Sequence, residues 1–358
     1  MSDRTTILER SLRGERLNDS DAVTLFRSGE LLELGFAADA VLRRMHPEPY
    51  RTYVVDRNIN YTNICTSRCR FCAFWRDADS PDAYLLSDEE VHRKIEEAVG
   101  LGATQILMQG GLHPELPLEW YERLVAGIKE RFVIDLHSFS PPEIVHIAGV
   151  SGLSIEEVIG RLRDAGLDSI PGGGAEILTD SSRRSLSPGK CTAQDWLDVM
   201  EAAHHLGMRT TATMMFGHTE SLEDRVEHLS RIRALQDRTG GFTAFIAWTF
   251  QPSNTDLGGH AVGGYEYLRT LAISRLFLDN IANLQASWVT QGAKIGQIAL
   301  KFGANDLGST MIEENVVAAA GVCFRMTEGE LRSAISEAGY TPRRRDTYYN
   351  LVEAGEMQ

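Results

Sequence analysis

Cysteine is scarce in this chain, and its few copies are unevenly spread. There are five, three of them bunched at Cys65, Cys69 and Cys72. An odd count with bunching excludes a disulfide framework and reads as a metal pattern. Long apolar runs are missing as well. None approaches the roughly 20 residues that span a bilayer, and the opening Met-Ser-Asp-Arg-Thr-Thr has no apolar stretch of a signal peptide. Basic residues are outnumbered: 36 Lys and Arg stand against 50 Asp and Glu, a net charge of −14. That balance argues against nucleic acid and against anionic membrane as partners, though a pocket for a small anion can still be locally basic. No internal repeat, low-complexity segment or Ser/Pro-rich linker interrupts the chain. The expectation is a soluble cytoplasmic protein, because a metal centre held by so few thiols needs a reducing compartment.

What is present is a large core and a regular rhythm. Apolar residues make up 43% of 358, ordinary for a globular protein. Residues 1–50 read as an N-terminal helical cap ended by Pro47 and Pro49, and residues 51–350 as one domain of repeated strand–helix units with a C-terminal extension. Strand-prone runs stand at 52–56, 104–109, 132–137, 167–170, 209–215, 242–248 and 282–286. Between them, Ser87 with Glu90, Ser154 with Glu157, Thr192 with Asp195 and Ser221 with Asp224 mark helix starts as capping boxes. Alternation of this kind predicts an α/β fold, a (β/α) TIM-type barrel of parallel strands. An open doubly wound sheet is the alternative, but no G-x-G-x-x-G follows the first strand.

The three cysteines have C-x3-C-x2-C spacing with Phe71 just before the third. Three thiolates on one loop can hold three irons of a [4Fe–4S] cluster, leaving the fourth iron open for chemistry. A zinc knuckle would want a fourth Cys or His nearby, and Cys191 is far off. Cys191 and Cys323 read as buried and inert, and His204 and His205 as helix surface. In a parallel barrel the active site gathers at the C-terminal strand ends. There stand Gln109-Gly110-Gly111, Ser138-Phe-Ser140-Pro-Pro-Glu143, Pro171-Gly-Gly-Gly-Ala-Glu176 and Phe216-Gly-His218-Thr-Glu220. The paired glycines offer amides to a ligand or form an ordinary turn. The triple glycine reads as a close approach to a ligand, with Glu176 accepting hydrogen bonds. His137 and His218 are candidate bases, and Glu220 is either a base or an acid that satisfies helix amides. The glycine-rich stretch 253–264 is the loosest segment, and the basic run 340–349 reads as a solvated face before it reads as a lid over a carboxylate.

Asn58-Ile-Asn-Tyr-Thr-Asn-Ile-Cys65, Gln109-Gly-Gly-Leu-His-Pro114, Phe139-Ser-Pro-Pro-Glu-Ile144 and Ser169-Ile-Pro-Gly-Gly-Gly-Ala-Glu-Ile177 together resemble one branch of radical S-adenosylmethionine (SAM) enzymes. The branch contains the radical enzymes of the futalosine route to menaquinone and the radical synthases of the deazaflavin chromophore. Within it the chain looks most like the cyclic dehypoxanthine futalosine synthases, on Met214-Met-Phe-Gly-His-Thr-Glu220 and Gly240-Gly-Phe-Thr-Ala-Phe245. The resemblance implies one [4Fe–4S] cluster on Cys65, Cys69 and Cys72 and one SAM. Phe71 would lie near the adenine, Gln109, Gly110 and Gly111 at the methionine moiety, and Ser140 and Glu176 also against SAM. It implies a nucleoside-benzoate substrate, a 5′-deoxyadenosyl radical that takes hydrogen from ribose C4′, ring closure onto the benzoate, and a base among His137, His218 and Glu220. A flavodoxin or ferredoxin would supply the electron.

Overall fold

The computed structural model describes residues 3–322 and 324–352. Its frame is ten strands: β1 (Tyr50–Val54), β2 (Asp56–Ile59), β3 (Gln105–Met108), β4 (Asp135–Ser138), β5 (Ser169–Ile170), β6 (Arg209–Phe216), β7 (Phe242–Thr249), β8 (Asn283–Gln285), β9 (Asp306–Ser309) and β10 (Thr341–Arg344). Every pairing is parallel, in the order β10-β1-β9-β8-β7-β6-β5-β4-β3-β2. The order closes through the chain itself: β1, which lies between β10 and β9, runs after the single residue Val55 into β2, the last strand at the other end. Its first half sits in register with β9, Thr52 opposite Asp306, and its second half with β3, Asp56 opposite Gln105. One continuous strand thus curls the sheet into a barrel, as the alternation of elements implied.

Local sequence explains most of these elements. All four expected capping boxes form, each hydroxyl taking the third amide of its helix and each acid returning to the cap amide. The helix Leu118–Arg131 buries Tyr121, Leu124, Val125 and Ile128, and Ile155–Ala165 buries Val158, Ile159 and Leu162, so both stripes belong to the core. Three helices precede β1, Asp3–Leu12, Asp19–Ser28 and Leu31–Met45. They pack against Leu222–Thr239 and Gly264–Phe277 and share the barrel's continuous core.

Two strands had no signal in the sequence. β9 and β10 carry Asp306-Leu-Gly-Ser309 and Thr341-Pro-Arg-Arg344, neither of them an apolar run. Their conformation comes from pairing with β1. This overturns the solvated reading of the basic run: Arg345 is buried and ion-paired with Asp306. His204 is not helix surface either. It is half-buried, bonded at 2.6 Å to Thr239 Oγ1 and at 2.7 Å to Thr210 Oγ1. Cys323 lies outside the described residues.

His228 gives the fold a measurable pH signature. Its ring is fully buried, accepts the Leu178 amide at Nδ1 and lies beside Phe245. Burial pushes its pKa down to about 3, against an unfolded value near 6.5. The unfolded chain therefore holds the extra proton between those values, and stability falls as pH drops through that window. His228→Gln keeps an acceptor but cannot titrate. Denaturant melts from pH 6 to pH 4 should show a slope shallower than wild type by about 1.4 kcal/mol per pH unit. Equal slopes would show that the buried imidazole does not control it.

Candidate active site

A cavity of about 390 Å³ occupies the barrel interior. Its mouth is the loop that follows β2. The loop is fixed by the Cys65 amide on the Arg76 carbonyl (3.1 Å), the Arg76 amide on the Asn63 carbonyl (2.8 Å), and the Arg76 guanidinium on the carbonyls of Ala73, Phe74 and Trp75. Cys65, Cys69 and Cys72 all line the cavity. Burial raises the Cys69 thiol and pushes Cys72 up to about 11. The thiolate forms that bind metal therefore need compensating positive charge.

Lys190 stands where such charge is needed. Burial by itself would lower its pKa, but Cys69 and Glu176 override this and hold the ammonium charged. Its Nζ donates to Glu176 Oε1 at 2.7 Å and sits 5.2 Å from the centre of the Phe71 ring. The other Glu176 oxygen, Oε2, is buried on the cavity wall without a hydrogen-bond partner. Glu176 also holds a left-handed φ of 41°, a conformation that costs energy and is often found at ligand sites. Three thiols, a buried cation and an orphaned carboxylate oxygen at one mouth fit a cluster with a polar co-substrate. Among the described residues, no three Cys, His, Asp or Glu side chains converge on a single-ion position.

The glycines act differently from expectation. The Gly110 amide is taken by Glu143 Oε1 and the Gly111 amide by the Thr62 carbonyl, both at 2.9 Å, so neither is offered to a ligand. A Cβ on Gly111 would lie 2.2 Å from the Ile64 carbonyl oxygen, and one on Gly173 would lie 2.2 Å from Gln109 Nε2. These glycines let the cysteine loop and neighbouring strands close together. Ser140 is likewise occupied: its hydroxyl donates to Glu143 Oε2 at 2.6 Å. Glu143 is a hub that sequence reasoning missed, taking Ser140, Gly110 and the Tyr61 hydroxyl (2.8 Å) in a fully buried position. The Ser140-Pro-Pro-Glu143 capping box was its visible signal.

His137 projects from β4 into the cavity. Its Nδ1 is 2.8 Å from Ser169 Oγ, whose own proton goes to the Arg209 carbonyl (2.6 Å). Thr211 Oγ1 receives the Gly172 amide (3.0 Å) and lies 3.3 Å from His137 Nε2. The chain of donors thus assigns the proton to Nδ1 and leaves the Nε2 lone pair on the cavity side. Burial, with help from Arg345, lowers this imidazole to about 3, so it is neutral.

His218 and Glu220 are not at this site. Neither lines the cavity, and their side chains are 0% and 1% exposed. Glu220 gathers the amides of Gly217 and His218 and the Arg225 guanidinium (2.8 Å). Burial would raise its pKa, but His218 and Arg225 outweigh that and hold it at about 2. The strand end that suggested a base is a loop turned onto the next helix. Residues 253–264 do not line the cavity; Leu257 reaches the cysteine loop at the Arg70 carbonyl (2.8 Å). Cys191 is also outside the cavity lining.

Below the mouth the cavity is two-sided. Asp56 and Asn58 of β2, Asn60 just after it, Gln105 of β3, His137 of β4 and Thr211 of β6 make a polar wall. Ile246 and Trp248 of β7, with Trp288, Val289 and Met311, make an apolar one. Arg345 forms part of the floor, with Nε and Nη2 on Asp306 at 2.7 and 3.0 Å.

Known proteins agree with this layout. A family model described as the radical SAM superfamily matches residues 59–232, and one described as the CofH/MqnC C-terminal region matches residues 239–357. The chain is 49% identical to a cyclic dehypoxanthine futalosine synthase of Halalkalibacterium halodurans, over 98% of this chain and 95% of that one. It is 45% identical to the protein of the same name from Streptomyces coelicolor, over 97% and 88%. It is also 44% identical to a 5-amino-6-(D-ribitylamino)uracil–L-tyrosine 4-hydroxyphenyl transferase of Methanopyrus kandleri, over 84% of each chain. Among solved structures, the FeFe-hydrogenase maturase HydG of Carboxydothermus hydrogenoformans shares the fold. Its TM-score is 0.76 at 16% identity, over 97% of this chain and 80% of that one. The family of these relatives uses a [4Fe–4S] cluster and SAM, and Cys65, Cys69 and Cys72 fit its cysteine motif. Matched along nearly its whole length, and with its three thiols at the mouth of a parallel barrel, this chain belongs to the radical SAM superfamily, in the branch that carries the CofH/MqnC C-terminal region.

Proposed function

We propose that this enzyme closes dehypoxanthine futalosine to cyclic dehypoxanthine futalosine in the futalosine route to menaquinone. The observation that carries the reading is 49% identity along 98% of the chain to a cyclic dehypoxanthine futalosine synthase. Cys65, Cys69 and Cys72 hold the cluster. When bound, cluster and SAM supply a carbon radical able to take a hydrogen atom from the substrate's sugar. Gln109 and Glu176 meet SAM at the mouth, and Phe71 lies beside them. Gly110, Gly111 and Ser140 serve the same end indirectly, by seating the cysteine loop and Glu143. The barrel walls keep water from the reacting carbon, and the apolar wall at Trp248 receives the aryl ring. After ring closure the aryl ring must shed one proton and one electron to regain aromaticity; His137 Nε2, on the cavity wall, is our candidate for the proton, and the electron would return to the cluster. A flavodoxin or ferredoxin supplies the electron, in the reducing cytoplasm.

The 44% identity to a tyrosine 4-hydroxyphenyl transferase supports a second reading, in which an aryl radical is joined to a ribitylaminouracil. Reconstituted enzyme, reductant and SAM should be incubated anaerobically with dehypoxanthine futalosine, and separately with tyrosine and 5-amino-6-(D-ribitylamino)uracil. The cyclic product with one 5′-deoxyadenosine apiece is expected from the first mixture only. Product from the second mixture alone would overturn the cyclase reading.

A further inference from the structure

We infer that Asn58, with Asp56 one inward position below it, accepts hydrogen bonds from the hydroxyls of the substrate's sugar and fixes which sugar carbon faces SAM. The inference rests on the proposed reading that the substrate is a nucleoside-derived sugar carrying an aryl group. Side chains on a strand alternate between faces. Asp56 and Asn58 of β2, and Asn60 just past its end, therefore share the inner face on the run that leads directly to the cysteine loop. The three rise from floor to mouth in steps of roughly 7 Å.

The outer two are already engaged. Asp56 takes the Gln105 amide (2.7 Å) and the Ser309 hydroxyl, and Asn60 bonds the Gln109 carbonyl (3.0 Å). Asn58 differs. It is 5% exposed, it lines the cavity, and its Oδ1 has no hydrogen-bond partner. A buried polar atom left unpaired costs free energy that a suitable ligand group recovers. Asn58 sits over a carboxylate whose two oxygens are held in place, so the pair offers acceptors and calls for donors. Adjacent sugar hydroxyls supply donors at that spacing, whereas a benzoate carboxylate only accepts and would leave Asn58 Oδ1 unpaired. Across the ring of strands, the apolar surface of Ile246 and Trp248 suits the aryl group instead. The substrate would then lie across the barrel with its sugar on the β2 side.

The test is binding without turnover. Reconstituted holoenzyme with SAM and no reductant is titrated calorimetrically with dehypoxanthine futalosine, then with its 2-deoxy and 3-deoxy analogues. Wild type should bind at least one analogue on the order of tenfold more weakly than the parent. In Asn58→Leu, which removes the acceptor at similar size, that penalty should vanish. In Asn58→Asp, which keeps an acceptor, it should persist. Cluster content and SAM affinity, measured on the same samples, report whether each variant folds. A deoxy penalty undiminished in a folded Asn58→Leu overturns the inference. If Asn58→Leu does not fold, Asn58→Asp decides: loss of its deoxy penalty overturns the inference. Failure of wild type to bind dehypoxanthine futalosine at all overturns the assigned activity instead.

Discussion

Arg345→Met should lower stability by about 3–5 kcal/mol, the cost of leaving one member of a buried ion pair without its partner. The pair is 4% and 0% exposed, and Asp306 meets Arg345 through both carboxylate oxygens. Asp306 also takes the Thr52 hydroxyl at 2.6 Å and the Gly308 amide at 2.9 Å. It therefore ties β1, β9 and the segment after β10 into one knot beneath the cavity. In a domain of this size the loss corresponds to a fall of roughly 10 °C in melting temperature. Arg345→Met combined with Asp306→Leu removes both charges and should regain part of the loss, though Thr52 and Gly308 then lack an acceptor. Arg163, exposed on a helix, is the control: Arg163→Met should change stability by less than about 0.5 kcal/mol. If Arg345→Met costs no more than that control, the C-terminal segment is not the barrel floor.

His137→Gln should uncouple the reaction. Product should fall by about 10²-fold or more, the usual contribution of a positioned acid or base, while SAM is still cleaved and 5′-deoxyadenosine still appears. Ser169 accepts Nδ1–H, and the Thr211 hydroxyl makes a long hydrogen bond of 3.3 Å to Nε2 that a stronger donor can replace. With its pKa near 3 the imidazole is already neutral throughout the working range. The wild-type rate should therefore show no histidine titration from this residue between pH 6 and pH 8. Thr211→Val removes the hydroxyl that orients Nε2 and should have a milder effect in the same direction. An unchanged ratio of product to 5′-deoxyadenosine in a folded His137→Gln would remove His137 from the chemistry.

The parts of this molecule that could be read from sequence are those whose signal is local. The cysteine spacing, the four capping boxes and the apolar strands each depend on residues within one turn or one strand, and all appear in the structure. What sequence could not supply are partners far along the chain. Arg345 looked like part of a solvated basic run because Asp306 is 39 residues away. β9 and β10 have no apolar pattern of their own and take their conformation from β1. The triple glycine was legible as a close approach and Gly110-Gly111 as a ligand contact or a turn, but not what they approach, which is the protein's own backbone and side chains. His218 and Glu220 misled because a strand end fixes a position without fixing which way the side chain turns; Glu220 turned toward two amides and Arg225. Asp56, Asn58 and Asn60 were legible in principle. Polar residues at every second position of a strand inside a barrel need a reason, and the cavity supplies one.

The decisive measurement is the electron paramagnetic resonance spectrum of anaerobically reconstituted, dithionite-reduced protein, recorded before and after SAM is added. Three cysteine ligands at the cavity mouth leave one iron open. SAM should therefore change the g-values of a [4Fe–4S]⁺ signal, and Cys65→Ala, Cys69→Ala or Cys72→Ala should each abolish the signal. A cluster signal from the intact protein that does not respond to SAM would contradict the open site on which the proposed chemistry depends.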